Sequence, residues 1–115
     1  MQDRPTAAEL VGAVREFLEQ DVMSAVEGRV AFHTRVAVNA LGMVERELQL
    51  GPDAERAERE RAVGLLGRDG GTRELERELA ARIRAGTLTY DDTAVVEHVR
   101  ATVHDKLRIA NPRYL

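Results

Sequence analysis

The 115-residue chain contains no cysteine and few aromatic residues. Without a thiol there is no disulfide, no cysteine-ligated zinc or iron–sulfur cluster and no thiol catalysis. The aromatic side chains are Phe17, Phe32, Tyr90 and Tyr114. A chain with no cysteine to oxidise suits a reducing compartment, so the sequence predicts a cytoplasmic protein.

Long hydrophobic runs are also missing, since no apolar stretch approaches the roughly 18 residues that a membrane span requires. The first residues lack the basic-then-apolar pattern of a signal peptide. We therefore expect neither export nor membrane insertion.

Charge of one sign is not in large excess. The 17 basic and 20 acidic side chains are interspersed and leave a net charge of −3. There is no basic stripe and no helix-turn-helix spacing, so nucleic acid is not an expected partner.

Catalytic and metal-binding motifs are absent as well. Ser24 is the only serine, there is no Gly-x-Ser-x-Gly, and no His-Glu-x-x-His pair occurs. His98 and His104 are six residues apart, which turns them about 120° from each other on a helix. The sequence predicts no cofactor, no metal and, in the main interpretation, no catalysis.

What the sequence does contain is helical periodicity, with Ala, Leu, Glu and Arg in segments separated by Gly, Pro and Asp. We predict a single domain over residues 1–115, an all-α, small up-and-down bundle of about five helices. The first helix opens at a Thr6-x-x-Glu9 capping box. The others are predicted at Arg29–Leu50, Asp53–Leu66, Thr72–Ala85 and Thr93–Ala110.

The apolar positions predict which faces are buried. On the first helix they fall within one arc, and we expect this arc to face the core: Leu10, Val11, Val14, Phe17 and Leu18. The Arg29–Leu50 helix has an arc of about 180° and is expected to be the most buried element. On the last helix the inward residues are predicted to be Val95, Val96, Val99, Val103 and Leu107.

Polar residues interrupt the Arg29–Leu50 helix. His33 lies in its apolar arc, and Arg35, Asn39 and Arg46 line the edge. A buried polar group without a partner costs about 1–3 kcal/mol, so each needs a hydrogen bond. One interpretation is a core histidine with two solvated arginines. The other is a recognition surface whose guanidinium groups bind a carboxylate or phosphate.

Two further segments are candidates for binding. Asn111-Pro112-Arg113-Tyr114 matches an Asn-Pro-x-Tyr docking turn, although helix termination with Tyr114 packed on the bundle is the preferred interpretation. Gly67–Thr72 precedes a helix N-terminus, as a phosphate loop does. It lacks the lysine and follows a helix, so a flexible connector is the preferred interpretation there.

Several segments resemble a family of short bacterial proteins of unknown function. The resemblance rests on Arg4–Leu10, Glu27–Arg29, Phe32–Leu41 and Ala110–Tyr114. Members of that family are encoded beside aminoglycoside-phosphotransferase-like kinases and acyl-CoA dehydrogenases. The resemblance implies a helper of such enzymes, and it supplies no catalytic residues.

Two functional hypotheses follow. The first is a non-catalytic accessory protein that binds a phosphotransferase-like kinase, or itself as a homo-oligomer. It would use the edge of the second helix and the terminal segments that contain Arg4, Arg113 and Tyr114. The alternative is a binder of acyl-CoA or a phosphorylated metabolite, or a minor enzyme, with His33, Arg35 and Asn39 in a pocket between helices.

Overall fold

A computed structural model describes residues 3–115, and over that range the chain is all-α with no strand. This confirms the predicted fold class. The α-helices are α1 (Ala7–Phe17), α2 (Gly28–Leu66), α3 (Thr72–Arg84) and α4 (Thr93–Ala110). A π-helical turn (Leu18–Val22) and a 3₁₀ turn (Met23–Ala25) follow α1, and a 3₁₀ turn (Pro112–Tyr114) follows α4.

Local signals account for several helix boundaries. The Thr6 side chain accepts from the Glu9 N–H and the Glu9 carboxylate accepts from the Thr6 N–H, each at 3.2 Å, so the predicted capping box is present. The residue after the α3 C-cap is Gly86, whose φ of 79° is left-handed and favours glycine. The bounds of α4 match the predicted helix at both ends.

The prediction of about five helices is wrong in number, because the described residues form four α-helices. The second and third predicted helices are one 39-residue helix with Pro52 inside it. Proline removes one backbone donor but keeps a φ that a helix allows. Strong helix formers and an Arg56–Asp53 ion pair follow it, and the helix continues.

The chain divides into two compact units. Unit 1 contains the described residues through Gly51 together with Ile109–Pro112, and unit 2 contains Pro52–Arg108 and Arg113–Leu115. Helix α2 therefore belongs to unit 1 in its first half and to unit 2 in its second half. The prediction of a single domain stays a prediction.

Unit 2 contains the hydrophobic core of residues 3–115. Ala62 and Leu66 of α2 pack there with Leu75 and Leu79 of α3. Val95 of α4 is also buried. Each of these apolar side chains leaves water completely or nearly so, which stabilises the fold by about 1.5–3 kcal/mol for a leucine or valine.

Unit 1 buries small and polar residues instead. Its buried positions in the described chain are Gly12, Thr34 and Gly42. The hydroxyl of Thr34 donates to the Val30 carbonyl 2.7 Å away, so its burial leaves no unpaired group. The expectation that the Arg29–Leu50 segment is the most buried element is wrong, because no hydrophobic residue of unit 1 is among the buried core residues.

Candidate functional site

The predicted binding residues of α2 are not in the core. His33, Arg35 and Asn39 are exposed, so the interpretation of His33 as a buried core histidine is wrong. The His33 ring makes an edge-to-face contact with Phe32, with ring centroids 5.4 Å apart. Because Phe32 is itself 64% exposed, this contact does not enclose the histidine.

Arg46 has a different role from the other three. It is partly buried, and its Nε donates to the Ile109 carbonyl at 2.8 Å. Ile109 is in the last turn of α4, where carbonyl groups lack a helical donor. A cation at this end also interacts favourably with the helix dipole. Arg46 therefore connects α2 to the last turn of α4 within unit 1, and its Nε is not available to a ligand.

The terminal candidates are all on the surface. Arg4 is exposed and forms a loose ion pair with Glu9, with 3.9 Å between Nε and Oε1. Arg113 is exposed, and Tyr114 is 76% exposed in the Pro112–Tyr114 turn. The preferred interpretation that Tyr114 packs on the bundle is therefore wrong.

The Gly67–Thr72 loop is held by ion pairs within unit 2. Arg68 binds Glu74 and Glu78 with N–O distances of 2.9 and 2.8 Å. Arg59 pairs with Asp69 and also donates to the Gly70 carbonyl at 2.8 Å. These contacts hold the loop against α2 and α3. The loop is therefore more ordered than the flexible connector that the sequence predicts.

The most unexpected feature of unit 1 is the exposure of nine large apolar side chains, which we call together the outer apolar face. Its nine members lie on α1 and on the first half of α2 and are 41–64% exposed. They are Leu10, Val14, Phe17, Val30, Phe32, Val36, Met43, Val44 and Leu48. The expectation that the arc of α1 faces the core is wrong for Leu10, Val14 and Phe17. Phe32, Val36 and Met43 lie within about 40° of one another around α2, and exposed apolar side chains that share a face mark interaction sites more often than isolated ones do.

The apolar side chains of α1 point outward because the opposite side of this helix contacts α2. Arg15 on α1 pairs with Glu45 on α2, with 2.8 Å between Nε and Oε1. A Cβ on Gly12 would lie 2.8 Å from Oε2 of Glu45, so any larger residue there would displace that carboxylate from its present position. The hydrogen bond to Glu45 raises the pKa of Arg15 above its already high ordinary value. An ion pair and a small residue thus hold α1 on α2, while the apolar arc remains outside.

Unit 2 contains a buried polar group that sequence reasoning missed. We call Arg61, Glu76, His98 and Thr102 the His98 cluster. His98 is 2% exposed and lies 2.7 Å from Glu76 through Nε2. Arg61 donates from Nε to Nδ1 of His98 at 3.1 Å and from a terminal nitrogen to the Thr102 hydroxyl at 3.3 Å. Because Arg61 can only donate, Nδ1 is the acceptor, and Nε2 carries the proton that binds Glu76.

Glu58 lies beside this cluster. Burial raises the pKa of its carboxyl above the ordinary value of 4.5, and the negative charge of Glu76 raises it further. Lys106 and Arg61 oppose the shift.

The sequence signal for the cluster was the spacing of Val95, His98 and Thr102, which puts all three on one face of α4. The predicted inward residues Val99 and Val103 are 45% and 49% exposed instead.

This arrangement favours a structural role for His98. Both ring nitrogens are bonded and the ring is almost completely covered, so a substrate has no access to it. No group of three or more His, Asp or Glu residues with metal-binding geometry occurs in residues 3–115. Over the same range, every helix is too short or too polar to cross a bilayer.

The molecule is thus an all-α protein of two helical units with an apolar surface on the first. Its sequence matches the model of a family described as a domain of unknown function, DUF6285, over residues 24–114. The match covers most of the chain, so the chain belongs to that family. Helix α1 precedes the matched region. No curated protein and no solved structure is significantly similar to the chain.

Proposed function

We propose that the chain is a non-catalytic interaction protein, an accessory partner of a phosphotransferase-like kinase in acyl-CoA-related metabolism. The observation that carries an interaction role is the outer apolar face, whose nine large side chains stay in water in the isolated chain. Covering such a surface is favourable by about 25 cal/mol for each Å² removed from water. The resemblance to proteins encoded beside such kinases supports the kinase as the partner.

The polar edge of the face is the expected contact for the kinase. Arg35 and Asn39 are exposed one turn apart, and each is one turn from an aromatic or methionine of the face, Phe32 and Met43. A guanidinium group in this position can bind a carboxylate in two parallel hydrogen bonds. Arginine beside exposed aromatic and methionine side chains is a frequent composition of protein interfaces.

The alternative of a small-molecule pocket gains no support. His33 and Arg35 are two residues apart, about 160° around the helix, so they point to nearly opposite sides. Both are exposed, as is Asn39, and the three do not converge on one enclosed space.

Co-expression with a phosphotransferase-like kinase from the same genome, followed by size-exclusion chromatography at micromolar concentration, tests the proposal. Co-elution is expected, and Arg35→Glu should weaken it at least tenfold. Arg77→Glu, the same change at an exposed position of α3, should leave it unchanged. Two independent, unshifted peaks for the unaltered proteins would reject the kinase partnership.

A further inference from the structure

We infer that the outer apolar face on α2 is a self-association surface, on which a second copy of this chain packs antiparallel through a two-fold axis between Val36 and Ala40. This inference rests on the proposed interaction role and names the occupant of the apolar face. The kinase would then contact the polar edge, since Arg35 lies about 140° around the helix from Ala40.

Unit 1 lacks the buried hydrophobic residues that unit 2 has. All buried hydrophobic residues of the described chain lie in unit 2, whereas unit 1 buries two glycines and a threonine. A unit of about 50 residues depends strongly on apolar burial, because a small domain buries a small share of its surface. Unit 1 can obtain that burial from a second copy.

A stripe along α2 has the spacing that helix pairs use. Its exposed residues alternate in steps of four and three: Arg29, His33, Val36, Ala40, Met43 and Glu47. This is the heptad spacing, which keeps one face turned to a partner helix. Ala40 is the smallest residue of the stripe and lies near its centre, so two helices can approach most closely there.

The charges of the stripe are complementary to those of a second copy. The basic Arg29 stands at its start and the acidic Glu47 stands at its end. In an antiparallel pair whose axis lies midway between Val36 and Ala40, Arg29 meets Glu47 of the partner, His33 meets Met43 and Val36 meets Ala40. A parallel pair would bring like charges together, which is unfavourable. A two-fold axis repeats each of these contacts, as a homodimer requires.

Light scattering on the full chain at about 50 µM tests the inference. The expected mass is twice 12.8 kDa. Ala40→Glu puts a carboxylate against Val36 of the other copy on each side of the axis and should weaken the dimer at least tenfold, because a buried charge without a partner is unfavourable. Ala40 is exposed and glutamate favours helix, so the helix content of the variant should not change. Ala81→Glu, at an exposed position of α3, is the matched control and should remain dimeric.

A charge exchange tests the antiparallel register. Glu47→Arg alone should weaken the dimer, because the introduced guanidinium group would face Arg29 of the other copy. Adding Arg29→Glu should restore it, since each introduced carboxylate then meets an introduced guanidinium group. A wild-type chain that is monomeric at 100 µM, or a dimer that Ala40→Glu leaves intact, would overturn the inference.

The same samples separate this inference from the proposed function. A monomer that still co-elutes with the kinase overturns the second copy and leaves the accessory role standing. A dimer that Ala40→Glu dissociates, but that never co-elutes with the kinase, supports the inference and removes the kinase partnership.

Discussion

Replacing His98 with alanine should destabilise the protein by about 3 kcal/mol. The change removes the hydrogen bond to the Glu76 carboxylate, and such bonds to charged groups contribute about 1.5–3 kcal/mol. It also leaves the Arg61 Nε without its acceptor and opens a cavity at a site that is 2% exposed. A loss of this size is a large part of the 5–15 kcal/mol that stabilises an ordinary domain.

Urea unfolding followed by circular dichroism measures the effect. With a slope of about 1.5 kcal/mol per molar urea, the midpoint should fall by about 2 M. All samples need the same protein concentration, because self-association would add a concentration-dependent term. His104→Ala is the matched control on the same helix, where an exposed side chain should contribute less than about 0.5 kcal/mol. Equal midpoints for the two variants would refute the structural role assigned to His98.

Two further changes test the electrostatics and the packing of the two units. Glu58→Gln should stabilise the protein at pH 7 by about 1 kcal/mol or less. The raised pKa means that the native carboxyl holds its proton more tightly than the unfolded one, so stability falls as pH rises from 4.5 through the native pKa. Raising the pH from 4 to 7 should therefore shift the urea midpoint further in the stabilising direction in the variant than in wild type, and an identical shift would contradict this. Gly12→Ala should not give the roughly 1 kcal/mol of stabilisation that alanine has over glycine inside a helix, because its Cβ would meet the Glu45 carboxylate at 2.8 Å while Arg15 holds that group in place; a variant that gains the full amount in thermal unfolding would show that the carboxylate moves freely.

Local chemistry made the fold class and several helix ends predictable. The capping box at Thr6, the glycine at Gly86 and the stop at Asn111-Pro112 act within a few residues, so their effect can be deduced from the sequence alone. Pro52 was misjudged for the opposite reason. Its cost of about 3 kcal/mol is local, but the sequence on both sides favours helix and offsets it.

Burial was harder to predict than helix formation. Periodicity correctly put Leu10, Val14 and Phe17 on one face of α1, but it cannot tell what covers that face. In the isolated chain the opposite side is held by the Arg15–Glu45 pair, a contact between residues 30 apart. The His98 cluster was missed for a similar reason, because Arg61, Glu76 and His98 come from three helices and only the fold brings them together.

The hydrogen bond from Arg46 to Ile109 has a consequence for folding order. It joins residues 63 positions apart, whereas unit 2 is almost entirely one continuous segment. Long-range contacts form late, since the chain must first close a large loop. During synthesis on the ribosome, unit 2 can therefore acquire its core before unit 1 receives residues Ile109–Pro112, and the half of the protein that is made first is completed last.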